Sequence, residues 1–487
     1  MSEIALSPAV ERPSKLTEDW SSVLVGLLVF VLALAGVAGF DLLGWAATTS
    51  VWIDPAQALG SVSKTFANLG GAFALAATFL ALLTVLSVAV WASGGDGRRF
   101  ALAFTIVFAI AYVSWFVGSY AHLAAVTPAD LSKFGISWSL KLTNEGGFIV
   151  ALLVGIVIAN FFPRFAEWLK EAIRPEFYIK IAIVILGGFI AATAAGKLTL
   201  ASSVLLRGVA AIVEAYLIYW AVVYFVARKY FGFTREWAAP LASGISICGV
   251  AASISTGGAI RARPQVAVLV SSLVVIFAVV EVLVLPFLAQ TFLSNEPLVA
   301  AAWLGLAVKT DGAAIAAGGI TESLLLAQAA SEGVKYEAGW ILATTTTVKV
   351  FIDIFIGAWA FLLAYIWTNH INVEKGEKAK LSEIWERFPK FILGFILTFV
   401  VVLALALGGG LTQKLTPAIA EANTFRVIFF ILTFFSIGVL SDFRKLWEDG
   451  FARLAAVYVV SLFGFIIWVG LAISWVFFAG VKPPLAG

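Results

Sequence analysis

Thirteen stretches of this chain stay apolar over about 20 residues, the length a helix needs to cross a bilayer. Few sequence features restrict a fold more tightly. The stretches run over 21–41, 69–92, 100–121, 147–163, 178–196, 203–227, 238–260, 265–291, 299–320, 338–368, 388–409, 424–440 and 451–480. Inside hydrocarbon every backbone N–H and C=O must be bonded within the protein, so stretches of this length become helices. The alternating ten-residue segments of a barrel strand do not occur. Only 13% of the residues are charged, against about 25% in soluble domains. The expected fold is an all-α polytopic membrane protein of about 13 transmembrane helices, with loops too short for a soluble domain.

The same composition removes most enzyme classes. One cysteine, Cys248, permits neither an intrachain disulfide nor a thiolate cluster. His122 and His370 end separate apolar runs and cannot assemble a zinc or haem ligand set. No Gly-x-Ser-x-Gly elbow occurs, and a net charge of +3 leaves no footprint for nucleic acid. The expectation is therefore no enzyme, no metal and no cofactor, with the lipid bilayer as main partner. Residues 1–19 are polar and of mixed charge, which reads as a short cytoplasmic tail and not a signal peptide. With that tail inside, the inner side holds sixteen Lys and Arg and the outer side nine. This bias puts the N-terminus in the cytoplasm and the C-terminus outside a prokaryotic plasma membrane. Arg261 and Arg263 fall on the less favoured, outer side.

An internal repeat organises the chain. Ser246-Ile-Cys-Gly-Val250 in the seventh stretch is echoed by Ser436-Ile-Gly-Val439 in the twelfth. Each copy lies in the fourth helix of a set of five and is followed by basic residues and a long apolar helix. Five being odd, the second set enters from the opposite side, which is the inverted repeat common in secondary transporters. The division is residues 1–146 (tail and three added helices), 147–295 (first unit) and 296–487 (second unit). Gly244, Ser246, Gly249, Ser253, Ser255, Thr256, Gly257 and Gly258 crowd one segment. Two readings fit that crowding: helices broken near the midplane and crossing there, or close packing of small residues.

The segment Gly244-Ile-Ser-Ile-Cys-Gly-Val-Ala-Ala-Ser253 resembles the Ser-Ile-Cys-Gly signature of the YeiH-like family, membrane transporters labelled as sulfate exporters. Gly155-Ile-Val-Ile-Ala-Asn160, Ile183-Val-Ile-Leu-Gly187, Lys349, Phe388 to Gly394 and Gly438-Val-Leu-Ser-Asp-Phe-Arg-Lys-Leu446 agree with it in order. The resemblance covers residue 147 to the C-terminus. It implies a transporter related to the sodium/proton antiporter and bile-acid symporter fold, with an anion as substrate. The chain departs from the family at Val308-Lys-Thr-Asp-Gly-Ala313, where the family has His and Gln; a Lys and a displaced Asp stand there.

Charge within a span costs about 2.5–3.5 kcal/mol on insertion scales, so each intramembrane charge needs a partner or a purpose. Lys309 and Asp311, Lys349 and Asp353, Glu281, and Arg207 with Glu214 are the cases. They read either as sites of ion or proton coupling or as pairs that lock helices together. The leading expectation is a secondary-active transporter, an exporter, of a small inorganic or organic anion by alternating access. Ser246, Cys248, Gly249, Ser253, Thr310, Ser436 and Gly438 would bind substrate, between the seventh and twelfth stretches. Lys309, Asp311, Lys349, Asp353 and Glu281 would couple a proton or sodium ion. A cation/proton antiporter using Asp311 is the alternative, and a channel or non-transporting membrane protein the second. A homodimer formed through the first three helices is a further expectation.

Overall fold

The computed structural model describes residues 16–125, 128–140, 146–195, 197–371, 385, 388–408, 412–444 and 451–486. Expectations for residues 1–15, and for basic residues such as Lys141, Lys375, Lys378, Lys380, Arg387 and Lys445, lie outside that range. The chain is all-α apart from one small β-hairpin, Ala47–Thr49 against Leu59–Ser61. Among the described residues ten helices are long and apolar enough to cross a membrane. Gly146–Phe161, bent 118° from Pro163–Ala172, belongs to an eleventh candidate span. The protein is a polytopic all-α membrane protein.

In chain order the main helices are α1 (Glu18–Leu34), α2 (Gly70–Ala92), α3 (Gly97–Gly118), α4 (Gly146–Phe161) and α5 (Pro175–Ala195). After them come α6 (Leu198–Lys229), α7 (Arg235–Ser246), α8 (Ala251–Ala259), α9 (Pro264–Leu293) and α10 (Pro297–Ala307). The rest are α11 (Asp311–Ser331), α12 (Trp340–Ile371), α13 (Phe391–Leu407), α14 (Thr412–Leu440) and α15 (Phe451–Phe478). Local chemistry sets the starts. Thr17 and Asp96 accept first-turn N–H groups of α1 and α3, as N-caps do. Pro175, Pro264 and Pro297 begin helices, where a missing N–H costs nothing.

Ion pairs and hydrogen bonds identify the two ends of the bundle. At one end Arg174 meets Glu18 at 2.7 Å and Lys180 meets Asp19. Asn160 bonds both the Ser441 carbonyl and the Phe443 N–H at this same end. At the other, Gly480 N donates to Glu296 and Glu337 N to the Pro484 carbonyl.

The seventh and ninth apolar stretches each fold back on themselves. Arg263 bonds Glu236 through its side chain at 3.0 Å and its backbone N–H at 2.8 Å. On a straight helix residues 27 positions apart would be about 40 Å from each other. Instead α7 turns at 247–250 and α8 returns beside it, with Thr256 Oγ1 donating to Ser243 Oγ at 2.7 Å. The unit is a re-entrant helical hairpin whose mouth is at the Glu18 end, where the Arg453 guanidinium lies over Phe233. The ninth stretch is a second hairpin. Thr345 donates to the Ala301 carbonyl at 2.9 Å, and a Cβ at Gly318 would meet the same Thr345 side chain. Limbs α10 and α11 therefore run side by side, turning at 308–310, with both outer ends at the Gly480 end.

Around the hairpins two groups of helices pack. α1, α3, α4, α5, α13 and α14 form one, with Thr398 of α13 donating to the Val184 carbonyl of α5. α6, α9, α12 and α15 surround the hairpins and touch the first group mainly where α9 and α11 meet α14 and α5. α1 packs within the first group, against α5, α13 and α14. α14 is continuous through Ser436 and Gly438, so the expectation of a second broken helix there is corrected. Gly438 meets α4: a Cβ on it would come within 2.9 Å of Gly155 Cα. The Ser-Ile-Gly echo marks close helix packing in α14 and a turn at the first hairpin tip.

Candidate functional site

The two hairpin tips meet inside the bundle. Each tip interrupts a helix and frees carbonyls and N–H groups that need partners. Gly249 N donates to the Lys309 carbonyl at 2.8 Å, joining one tip to the other. A Cβ at position 249 would crowd Val274 and approach Thr310 Cγ2 at 3.1 Å, so glycine permits this approach. Lys349, from α12, meets the remaining freed carbonyls. Its ammonium donates to Ile247 O at 2.7 Å and points to Lys309 O at 3.4 Å.

The same ammonium lies 3.5 Å from Asp311 Oδ1 and 4.0 Å from Asp353 Oδ1. Cys248 donates its S–H to Asp311 Oδ1 at 3.0 Å. Cys248, Asp311 and Asp353 present ligand atoms all within 4.8 Å of one another. Lys349, Asp311 and Asp353 are each 1% exposed, so the two carboxylates face one cation with almost no water to screen them. In a medium of low dielectric such a cluster is sensitive to any proton or ion that joins it. Asp353 Oδ1 accepts no hydrogen bond. Asp311 also opens α11, where a carboxylate complements the helix dipole, and Thr310 caps the same helix by accepting from Ala313 N at 3.2 Å.

Lys309 turns away from this cluster. Its ammonium donates to the Leu306 carbonyl and sits 4.7 Å over the Tyr219 ring. Its backbone N–H donates to Glu281 at 3.0 Å, and Tyr458 donates to the other Glu281 oxygen. Glu281 therefore braces the second tip. Ser253 is committed to Gly249 O and to Ser271, while Ser246 and Ser436 are buried without a hydrogen-bond partner. The sequence pairs Arg207 with Glu214, but Arg207 donates instead to Ser203 and the Phe477 carbonyl.

Of the expected residues, the structure brings together Ser246, Cys248, Gly249, Lys309, Thr310, Asp311, Lys349 and Asp353, and sets Gly438 apart. Sequence reasoning missed Glu176, Tyr458 and Tyr219. A small cavity adjoins the second tip between the two helix groups. Thr310 and Gly312 line it on one side; Glu176 and Ile179 of α5 and Thr433 and Ile437 of α14 line it on the other. Glu176 follows Pro175 at the start of α5, a first-turn acid that the sequence shows only as an ordinary dipole partner.

Residues 102–457 match the family described as Conserved hypothetical protein 698. A UPF0324 membrane protein of Nitrosomonas europaea is 40% identical over 478 residues, 96% of this chain and 97% of the relative. The chain belongs to the UPF0324 membrane protein family. A UPF0324 membrane protein of Rhodopirellula baltica is 27% identical over 403 residues, 80% of this chain and 64% of that one. A shorter protein of Archaeoglobus fulgidus is 50% identical over 164 residues, 29% of this chain and 88% of its own. No solved structure matches.

Proposed function

We propose that this UPF0324 member is a secondary-active transporter coupled through Asp311 to a proton or a sodium ion. One observation carries the reading: a single ammonium, Lys349, holds both hairpin tips and both carboxylates. A cation or proton arriving at Asp311 or Asp353 would displace Lys349 from the carboxylates and so loosen its hold on Ile247 and Lys309. Ion binding then acts directly on the geometry of the tips. The cavity between the helix groups is where the hairpin group would slide against α5 and α14 to give alternating access.

The architecture under this reading is eleven crossings and two re-entrant hairpins entering from opposite sides, the hairpins being the inverted elements. The Glu18 end is cytoplasmic. Because α7 and α8 return to that end, Arg261 and Arg263 join the inner side, and the Lys and Arg bias grows in the expected direction.

Two cargoes remain to be separated. The resemblance to YeiH-like exporters favours a small, sulfate-like anion, with the unpartnered Ser246 hydroxyl as a donor beside the start of α8, which no side chain caps. Cation/proton antiport is favoured by a different observation: both lysine ammoniums are already engaged, and Glu176 adds a carboxylate to the cavity. Proteoliposomes decide. Sulfate flux that survives Asp311→Asn and fails in Lys349→Gln supports the anion cargo. Sodium-driven proton flux lost in Asp311→Asn, with no dependence on any anion, supports antiport. Absence of both fluxes in the wild-type protein, with none of either ion exchanged, overturns coupling at Asp311.

A further inference from the structure

On the far side of the second tip from Asp311 lies a separate buried carboxylate, Glu214. Glu214 is 1% exposed, and among the described residues the donor beside its carboxylate is the Tyr219 hydroxyl. It begins a π-helical turn of α6, Glu214–Tyr219, a distortion that often marks functional positions. The Tyr219 hydroxyl is committed to the Ile466 carbonyl at 3.0 Å. Gly470 of α15 faces both Glu214 and Tyr219 without a side chain to intrude. The cation that acts on Glu214 is Lys309, poised over the Tyr219 ring.

A small cavity, its wall mostly apolar, lies one turn of α6 from this place. Arg207 and Phe477 lie at its outer part, toward the Gly480 end, and Ala211, Leu306 and Ser474 line its wall. Ala211 precedes Glu214 by one turn of α6, and Leu306 supplies the carbonyl that holds the Lys309 ammonium. Ser474 is itself buried with no hydrogen-bond partner. Ser474 lines that cavity and Glu214 lies one turn of α6 beyond Ala211 in its wall; buried polar groups of this kind are costly unless water or a proton completes them. The charged and titratable groups around Glu214 are few. The second tip contributes Lys309, and α6 itself Arg207, Tyr216 and Tyr219. Glu281 on α9, Lys349 and Asp353 on α12, and Tyr458 on α15 stand in the next ring.

We propose that Glu214 is a second proton-binding site, distinct from the Asp311 cluster and loaded through this cavity from the Gly480 end. A proton from water in the cavity forms an O–H bond to the carboxylate. When it leaves by the same route, the Lys309 ammonium compensates the charge that remains. Because Lys309 also carries the carbonyl bonded by Gly249, occupancy of Glu214 is transmitted to the tip contact. The purpose of this site rests on the transporter reading, but its existence does not.

The test is infrared difference spectroscopy of the full chain in lipid nanodiscs during a pH step, with wild type, Glu214→Gln, Glu214→Asp and Asp311→Asn compared. We expect a protonated-carboxyl C=O band that titrates in wild type, disappears in E214Q, shifts in E214D and persists in D311N. A band unchanged in E214Q, or no titrating carboxyl band in wild type, overturns the proposal. E214D keeps the test decisive if E214Q does not fold. A Ser474→Cys variant reports the route: a membrane-impermeant cationic thiol reagent should label it from the Gly480 end. Labelling from the Glu18 end only, or none, overturns the access path. If transport fails while the band titrates as expected, only the transporter reading falls.

Discussion

The backbone N–H of Gly249 donates to the carbonyl of Lys309 at 2.8 Å, so two hairpins that enter from opposite ends meet peptide to peptide. That bond leaves no room for a side chain at position 249. Gly249→Ala should wedge its Cβ against Val274 and within 3.1 Å of Thr310 Cγ2. Overpacking of this kind costs about 1–3 kcal/mol. The expected result is a lower unfolding temperature in detergent and loss of coupled flux. Wild-type flux in G249A would show that tip contact is dispensable.

Lys349 answers for two carbonyls and two carboxylates at once. Removing one partner of a buried ion pair typically costs about 3–5 kcal/mol, because the other charge stays behind uncompensated. Lys349→Gln should therefore destabilise strongly. Adding Asp353→Asn should recover part of the loss, with a coupling of about 0.5–3 kcal/mol. Thermal unfolding of the two single variants and the double variant closes this cycle. Additive losses would mean that Lys349 and Asp353 do not act on each other.

How much of this was legible in the sequence depends on which residues are asked. The polytopic class followed from apolar runs alone, and Lys309, Asp311, Lys349 and Asp353 stood out because hydrocarbon penalises charge. What periodicity could not show is that 235–259 and 297–331 turn back. The apolar stretches within them, 238–260 and 299–320, have the length of a spanning helix, and the reversal lies in long-range contacts such as Arg263 to Glu236 and Thr345 to Ala301. The Ser-Ile-Gly echo in α14 misled for a related reason, since small residues serve both a tight turn and a close helix contact. Glu176 and Tyr458 carried no local signal, because their roles come from elements distant in sequence.

The mouth of the first hairpin lies outside the apolar part of the bundle and is closed by Glu236 and Arg263. Hydrogen bonds from the Arg263 side chain, and then its backbone N–H, hold the Glu236 carboxyl below the usual carboxylate range. A depressed folded value stabilises at pH above the ordinary one and is lost only as pH falls through the depressed one. Hydrogen exchange of residues 255–265, corrected for intrinsic rate, should thus be flat between about pH 9 and pH 5, well above ordinary carboxylate values. Glu236→Gln should raise exchange over that whole range. Equal protection in the variant would show that the clamp does not hold the mouth.

Gly312 tests whether the hairpin group must move against the outer helices. A Cβ there would lie 3.1 Å from Thr433 Cγ2 on α14 and 3.4 Å from Ile179 on α5, tight but not forbidden. Gly312→Ala should therefore fold with little change, while Gly312→Leu should fill the cavity shared by Thr310, Glu176 and Ile437. Sliding past α14 would then require the leucine to pass both neighbours. The expected outcome is retained ion binding at Asp311, read as sodium protection against thermal unfolding, with flux abolished in G312L and reduced in G312A. Flux at the wild-type rate in G312L would mean that this interface stays fixed and that access to Asp311 changes elsewhere.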